Sequence, residues 1–89
     1  MNSLKHEIIL TKRAGRELKN ISRDSQLVKR IEERLIMLGK GIAKGKRLKG
    51  KYKNLSSSRV GRYRIIYEDR QCKITVISVK HRRSTYARL

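Results

Sequence analysis

Apolar residues in this chain keep a three- or four-residue spacing up to Leu38, and alternate with polar ones around Tyr63 to Tyr67. That change of period is the strongest constraint on its fold, because it separates a helical half from a stranded half. Ala14, Leu18 and Ile21 would share one side of a first helix, with Thr11 in place to cap it. Leu27, Val28, Ile31, Leu35 and Leu38 would share one side of a second, begun by Asp24 or Ser25 and stopped at Gly39 and Gly41. Two such helices joined by a polar break form an antiparallel hairpin with one apolar stripe each. Those stripes need a sheet to cover.

The strands supply it. Residues 6 to 10 form a first candidate, Leu55 to Val60 a second and Arg62 to Glu68 a third. Asp69-Arg70-Gln71 is a connection of hairpin length, and Cys72 to Val79 completes the set. In the third strand, alternation sends Tyr63, Ile65 and Tyr67 one way and Arg62, Arg64 and Ile66 the other. The fourth is apolar on both faces through Ile74, Val76, Ile77 and Val79, which places it inside the sheet. Residues 39 to 53, with glycines between lysines, read as a loop anchored by Leu48. Residues 1–89 therefore form a single α+β domain. An N-terminal strand precedes an antiparallel helical hairpin, packed on one face of a small twisted, mostly antiparallel β-sheet whose other face stays open.

Eighty-nine residues bury roughly 60 to 65% of their unfolded surface, enough for one core. Without Trp or Phe, that core must come from Leu, Ile, Val and the four tyrosines. Cys72 is the sole cysteine, so no internal disulfide forms. It reads as a small buried strand hydrophobe in a reducing compartment. The run Ile8-Ile9-Leu10 is too short for a signal segment or a membrane span, which suits a cytoplasmic protein.

The formal net charge is +18, and no acid stands between Glu33 and Glu68 or after Asp69. Self-repulsion of this size is relieved by a polyanion or an acidic protein, nucleic acid first. A membrane surface fits less well, since no helix sets a basic face against bulky apolar residues. One Cys and two distant His give no zinc site, and there is no glycine-rich phosphate loop. Glu32-Glu33 and Glu68-Asp69 adjoin in sequence and so project apart, as solvated acids do. No metal, cofactor or small-molecule ligand is expected.

Chemistry done with cations remains. RNA carries its own nucleophile, and its cleavage needs the 2′-OH deprotonated, the phosphate stabilised and the leaving oxygen protonated. Arginines clamp phosphate in a bidentate way but do not act as bases. Lys51 or Lys53, crowded by other cations, or His81, whose imidazole can trade protons, is a conceivable base. Tyr86 can stack on a base or simply pack the tail. On composition alone, a basic face with scattered tyrosines favours binding over catalysis.

Leu48-Lys49-Gly50, then Arg59-Val60-Gly61-Arg62-Tyr63-Arg64-Ile65-Ile66-Tyr67, then Val79-Lys80-His81-Arg82-Arg83-Ser84-Thr85-Tyr86 resembles the RelE/ParE toxin superfamily, the RelE branch most. The resemblance implies a microbial-RNase-like fold and a ribosome-dependent endoribonuclease that cuts mRNA in the decoding site without metal. Its implied partners are the ribosome, mRNA and a cognate acidic antitoxin. By position Arg64 resembles the arginine that stabilises the transition-state phosphate. Arg82 resembles the second arginine, assigned to the leaving group or to phosphate contact, and Tyr86 the C-terminal tyrosine. Lys53 and His81 join them as catalytic candidates, while Arg59, Arg62, Lys51, Lys49 and Arg83 would contact RNA. The family often has a basic residue where this chain has Ser57, which leaves the general base unassigned among Lys53, Lys51 and His81. Two other readings stay open: a ParE-like gyrase poison, and a non-catalytic RNA- or ribosome-binding module.

Overall fold

A computed structural model describes residues 6–81 of the chain. Its elements run β1 (Glu7–Leu10), α1 (Lys12–Asn20), α2 (Ser25–Gly39), β2 (Lys46–Arg47), a 3₁₀ turn (Gly50–Tyr52), β3 (Ser56–Val60), β4 (Tyr63–Arg70) and β5 (Lys73–His81). The five strands form one sheet in the order β1-β5-β4-β3-β2. Only β1 with β5 is parallel; the other three pairings are antiparallel. The expected α+β architecture is thus present, with the helical hairpin against one face.

Both helices start where their caps dictate. Thr11 Oγ1 accepts from the Ala14 amide at 3.1 Å, and Asp24 Oδ1 from the Leu27 amide at 3.0 Å. Helix α2 ends in a Schellman motif. The Ile42 amide donates to the Met37 carbonyl and the Gly41 amide to Leu38, with Gly41 at φ +77° supplying the left-handed residue. The stripes Ala14 and Ile31, Leu35, Leu38 meet Val60, Ile65, Tyr67, Ile74, Val76 and Val79 of the sheet in one core. Val28 stays outside that cluster.

Several expectations need correcting. The segment 39 to 53 is not all loop, since Lys46 and Arg47 pair with Ser57 and Ser56, and Gly50–Tyr52 forms a helical turn. Leu48 does tether it, donating its amide to the Leu55 carbonyl at 2.9 Å. Arg62 is not on the strand face; with Gly61 it makes the two-residue turn between the paired Val60 and Tyr63. Cys72 is neither buried nor in a strand. Gln71 and Cys72 form the β4–β5 turn at φ +52° and +61°, and Cys72 is exposed. Ile66 does face away from the helices, yet it is fully buried.

Strand β5 lies between β1 and β4, as its apolar run requires. Its doubly apolar character has a specific cause. Tyr67 pairs with Val76 but Ile66 with Ser78, so Ile77 is an extra residue and β5 bulges there. The bulge resets the alternation, returning Val79 to the core side and sending Lys80 to the other.

Candidate nucleic-acid interface

Register fixes the centre of the site. In the β3–β4 hairpin Arg59 is the direct partner of Arg64, and across β4 Arg64 is the partner of Lys80. Directly paired residues in a sheet share a face. Ile65 and Tyr67 are in the core, so alternation turns this row of three cations away from the helices. Arg59 is exposed and Arg64 half-buried. Like charges directly opposite one another destabilise a sheet, which suits a surface that meets an anion.

Arg59 and Arg64 of this row border a groove of 760 Å³, inside the range of about 300–1,000 Å³ usual for ligand clefts. Its walls include Arg59, Arg64, Ser57, Lys46, Lys49 and Tyr52. The groove exists because β2 is short. Pairing with β3 stops at Ser57, and the edge beyond is served by α2, where Arg34 Nη1 donates to Ser58 Oγ at 2.9 Å and to the Arg59 carbonyl at 3.1 Å. At the other end the wall is tied to the core. The Gly45 amide donates to Tyr67 Oη at 2.8 Å, and a side chain at Gly45 would collide with that hydroxyl and with the Ser57 carbonyl. Burial pushes the Tyr67 phenol above its usual range; the Gly45 amide partly offsets this, and the Asp69 charge adds to it.

The far end of the row is held by α1. Glu17 Oε1 accepts from Ser78 Oγ and from the Val79 amide, both at 2.9 Å, while Oε2 lies 3.5 Å from Lys80 Nζ and 3.5 Å from Arg13 Nε. Thr11 Oγ1 lies 3.0 Å from the Val76 carbonyl oxygen and 3.2 Å from that of Ile77 at the bulge. Helix α1 therefore fastens β5 from Val76 to Lys80, past the point where β1 ends.

Of the residues expected to act, Arg64, Arg59 and Lys49 come together on the groove. Lys51 sits in the 3₁₀ turn with Nζ 5.2 Å from the centroid of the Tyr52 ring, and Lys53 follows it; both are exposed. Arg62 is exposed in the hairpin turn. His81 is not brought to this face. It pairs with Tyr63, packs edge-on to it at 5.6 Å between ring centroids, and so belongs to the helix side of the sheet. Arg82, Arg83 and Tyr86 lie outside the described residues, as does any convergence of Arg82 with Arg64. The residue pattern gave no sign of Tyr52, Lys46, Arg34 and Lys80 as neighbours of Arg64. Only register could have found Lys46, which pairs with Ser57, and Lys80. Among the described residues no group of three or more His, Cys, Asp or Glu side chains converges, and no helix is long and apolar enough to cross a membrane.

The fold has close relatives among solved structures. The toxin–antitoxin complex RelBE2 from Mycobacterium tuberculosis superposes with a TM-score of 0.73 at 21% identity, covering 91% of this chain and 95% of that one. The YoeB dimer from Staphylococcus aureus matches with a TM-score of 0.73 at 23% identity, over 86% of this chain and 97% of its own. The chromosomal ParDE system from P. aeruginosa matches at 0.69 with 11% identity, over 86% and 96%. No curated protein sequence matches the chain. The model of the family described as ParE toxin of type II toxin–antitoxin systems, parDE, matches residues 8–86. Taken with the shared fold, that match over most of its length makes the chain a member of the ParE toxin family, within the RelE/ParE superfamily.

Proposed function

We propose that this toxin is a ribosome-dependent endoribonuclease that cleaves mRNA in the A site and is neutralised by an acidic antitoxin. The observation that carries the reading is the Arg59–Arg64–Lys80 row, whose two arginines line the groove. Guanidinium groups on two adjacent strands suit the phosphate whose charge grows as the 2′-oxygen attacks. Arg64 stabilises that phosphate, and Arg59, Lys49, Lys51, Arg62 and Arg83 hold the strand around it. The roles that the resemblance implies for Arg82, at the leaving group or the phosphate, and for Tyr86, with the substrate, belong to the same reading. Lys53 or Lys51 takes the proton from the 2′-OH. Because His81 pairs with Tyr63 on the helix side of the sheet, this reading gives it no part at the Arg64 phosphate. The high positive charge docks the protein on ribosomal RNA. Similar folds were solved with antitoxins, among them the heterotetrameric YoeB–YefM toxin–antitoxin complex from Staphylococcus aureus, which supports an antitoxin for this chain.

The test is primer extension on a message translated in an extract with purified protein added. Arg64→Ala should greatly weaken the cuts. Undiminished cutting by Arg64→Ala and Arg82→Ala would remove both residues from the mechanism. A second reading, a gyrase poison, is favoured by the family match itself. Inhibition of supercoiling with messages left intact would replace the ribonuclease with that activity.

A further inference from the structure

The groove holds an aromatic side chain that the reading above does not use. Tyr52 closes the 3₁₀ turn and borders the groove together with Arg59, Arg64 and Lys49. Its backbone is fixed from both sides. The Lys53 amide donates to the Gly50 carbonyl at 3.1 Å, the Leu55 amide to the Tyr52 carbonyl at 2.9 Å, and the Leu48–Leu55 bond closes the neck of the loop. The residue is half-buried, so its ring is presented on a held turn.

The other tyrosines among the described residues are committed elsewhere. Tyr67 is 4% exposed and holds the Gly45 amide. Tyr63 packs against the core and against His81. With no Trp or Phe in the chain, Tyr52 is the one described aromatic ring that lines the groove.

We infer that Tyr52 is a stacking platform for one unpaired base of an RNA strand whose phosphates lie along Arg59 and Arg64. The inference rests on the reading of the groove as an RNA site. Single-stranded nucleic acid is bound by this combination, cations for the backbone and aromatic faces for the bases. A duplex would not use the ring, because its base faces are already stacked. An acidic peptide would use the arginines but has no need of it. Lys51 already lies over the Tyr52 ring, which shows that the π-face is open to a cation from the solvent side. On its flexible stem, Lys51 can leave the ring for a phosphate as the base arrives.

The test is equilibrium binding of the full chain to a short dye-labelled RNA blocked as its 2′-O-methyl ether, so that binding is read without cleavage. A fully abasic strand of the same length and an acidic peptide are compared with it. Wild type should prefer the base-bearing strand. Tyr52→Leu should weaken that strand about tenfold, leave the abasic strand unchanged and keep the salt dependence. Tyr52→Phe, which keeps the ring and guards against a folding defect, should bind as wild type does. Equal affinity of wild type for base-bearing and abasic strands would overturn the proposal. So would equal losses on both strands in Tyr52→Leu, or tight binding of the peptide alone. Blocked-strand binding with the expected base dependence, but no message cleavage, would sink the ribonuclease and leave the platform standing. Message cleavage that needs Arg64, without base dependence at Tyr52, would do the reverse.

Discussion

The Glu17 carboxylate accepts the Val79 amide proton at 2.9 Å, on the edge of β5 that β1 no longer covers. A side chain from a helix thus takes the place of a missing strand partner. The same oxygen serves Ser78, so Glu17→Ala would strand two donors at once. Removing the acceptor of a buried donor costs about 1–3 kcal/mol. Glu17→Gln retains an acceptor oxygen and should cost much less, because the pairs with Lys80 and Arg13 are part-exposed and weak. Urea denaturation of the two variants reads the difference, and equal losses would mean that charge rather than acceptance matters.

Gly45 and Tyr67 should be similarly intolerant. Gly45→Ala drives a methyl into the Tyr67 hydroxyl and the Ser57 carbonyl, and overpacking of this kind costs about 1–3 kcal/mol. Tyr67→Phe instead orphans the Gly45 amide. Thermal melts of both variants check the two losses, and a Gly45→Ala protein as stable as wild type would refute the clash.

Alkaline pH offers an independent reading of the same tyrosine. Its phenol holds its proton more tightly in the fold than in the unfolded chain, chiefly because it is buried. The stability this contributes is whole below about pH 10, the usual phenol value, and is lost as pH rises through the higher folded value. Melts across alkaline pH should therefore fall more gently for Tyr67→Phe than for wild type.

The β4–β5 turn carries strain that can be relieved. Gln71 and Cys72 both occupy the left-handed region that Asn-Gly would fill without cost. Cys72→Gly should raise stability by about 1 kcal/mol, or roughly 4–8 °C in melting temperature. A lower midpoint would show that the Cys72 side chain contributes something the backbone does not reveal.

Function and stability should trade against each other in the arginine row. On the proposed ribonuclease reading, Arg64→Ala should lower turnover about 10²–10³-fold, the usual loss when one group that stabilises transition-state charge is removed. Arg59→Thr separates a like-charged cross-strand pair and should stabilise the sheet by about 0.2–1 kcal/mol while weakening RNA binding. Paired melts and binding curves on that variant check both signs.

The helices were legible because caps and stripe are local: Thr11, Asp24, Ala14, Ile31, Leu35 and Leu38 behave as their spacing requires. The pairing of Arg59 with Arg64 was less legible, because Arg62 reads as a strand residue and only the two-residue Gly61-Arg62 turn sets the register. Strand β2 was not legible, because two lysine- and arginine-bearing residues in a glycine-rich segment have no period of their own. The bulge at Ile77 hides in an unbroken apolar run, and the β4–β5 turn lacks the glycine that would announce it. His81 was assigned from chemistry alone, and the strand register decides its face. Tyr52 reaches the groove, and Glu17 reaches Val79, only through tertiary packing.

The brevity of β2 bears on how copies of the protein behave together. Each of its two residues carries a positive charge, and both are exposed at the rim of the sheet. A neighbouring molecule finds too few free amides there to zip onto, and meets repulsion as it approaches. Concentrated solutions should therefore resist fibre growth, and a version with this rim lengthened and neutralised should not.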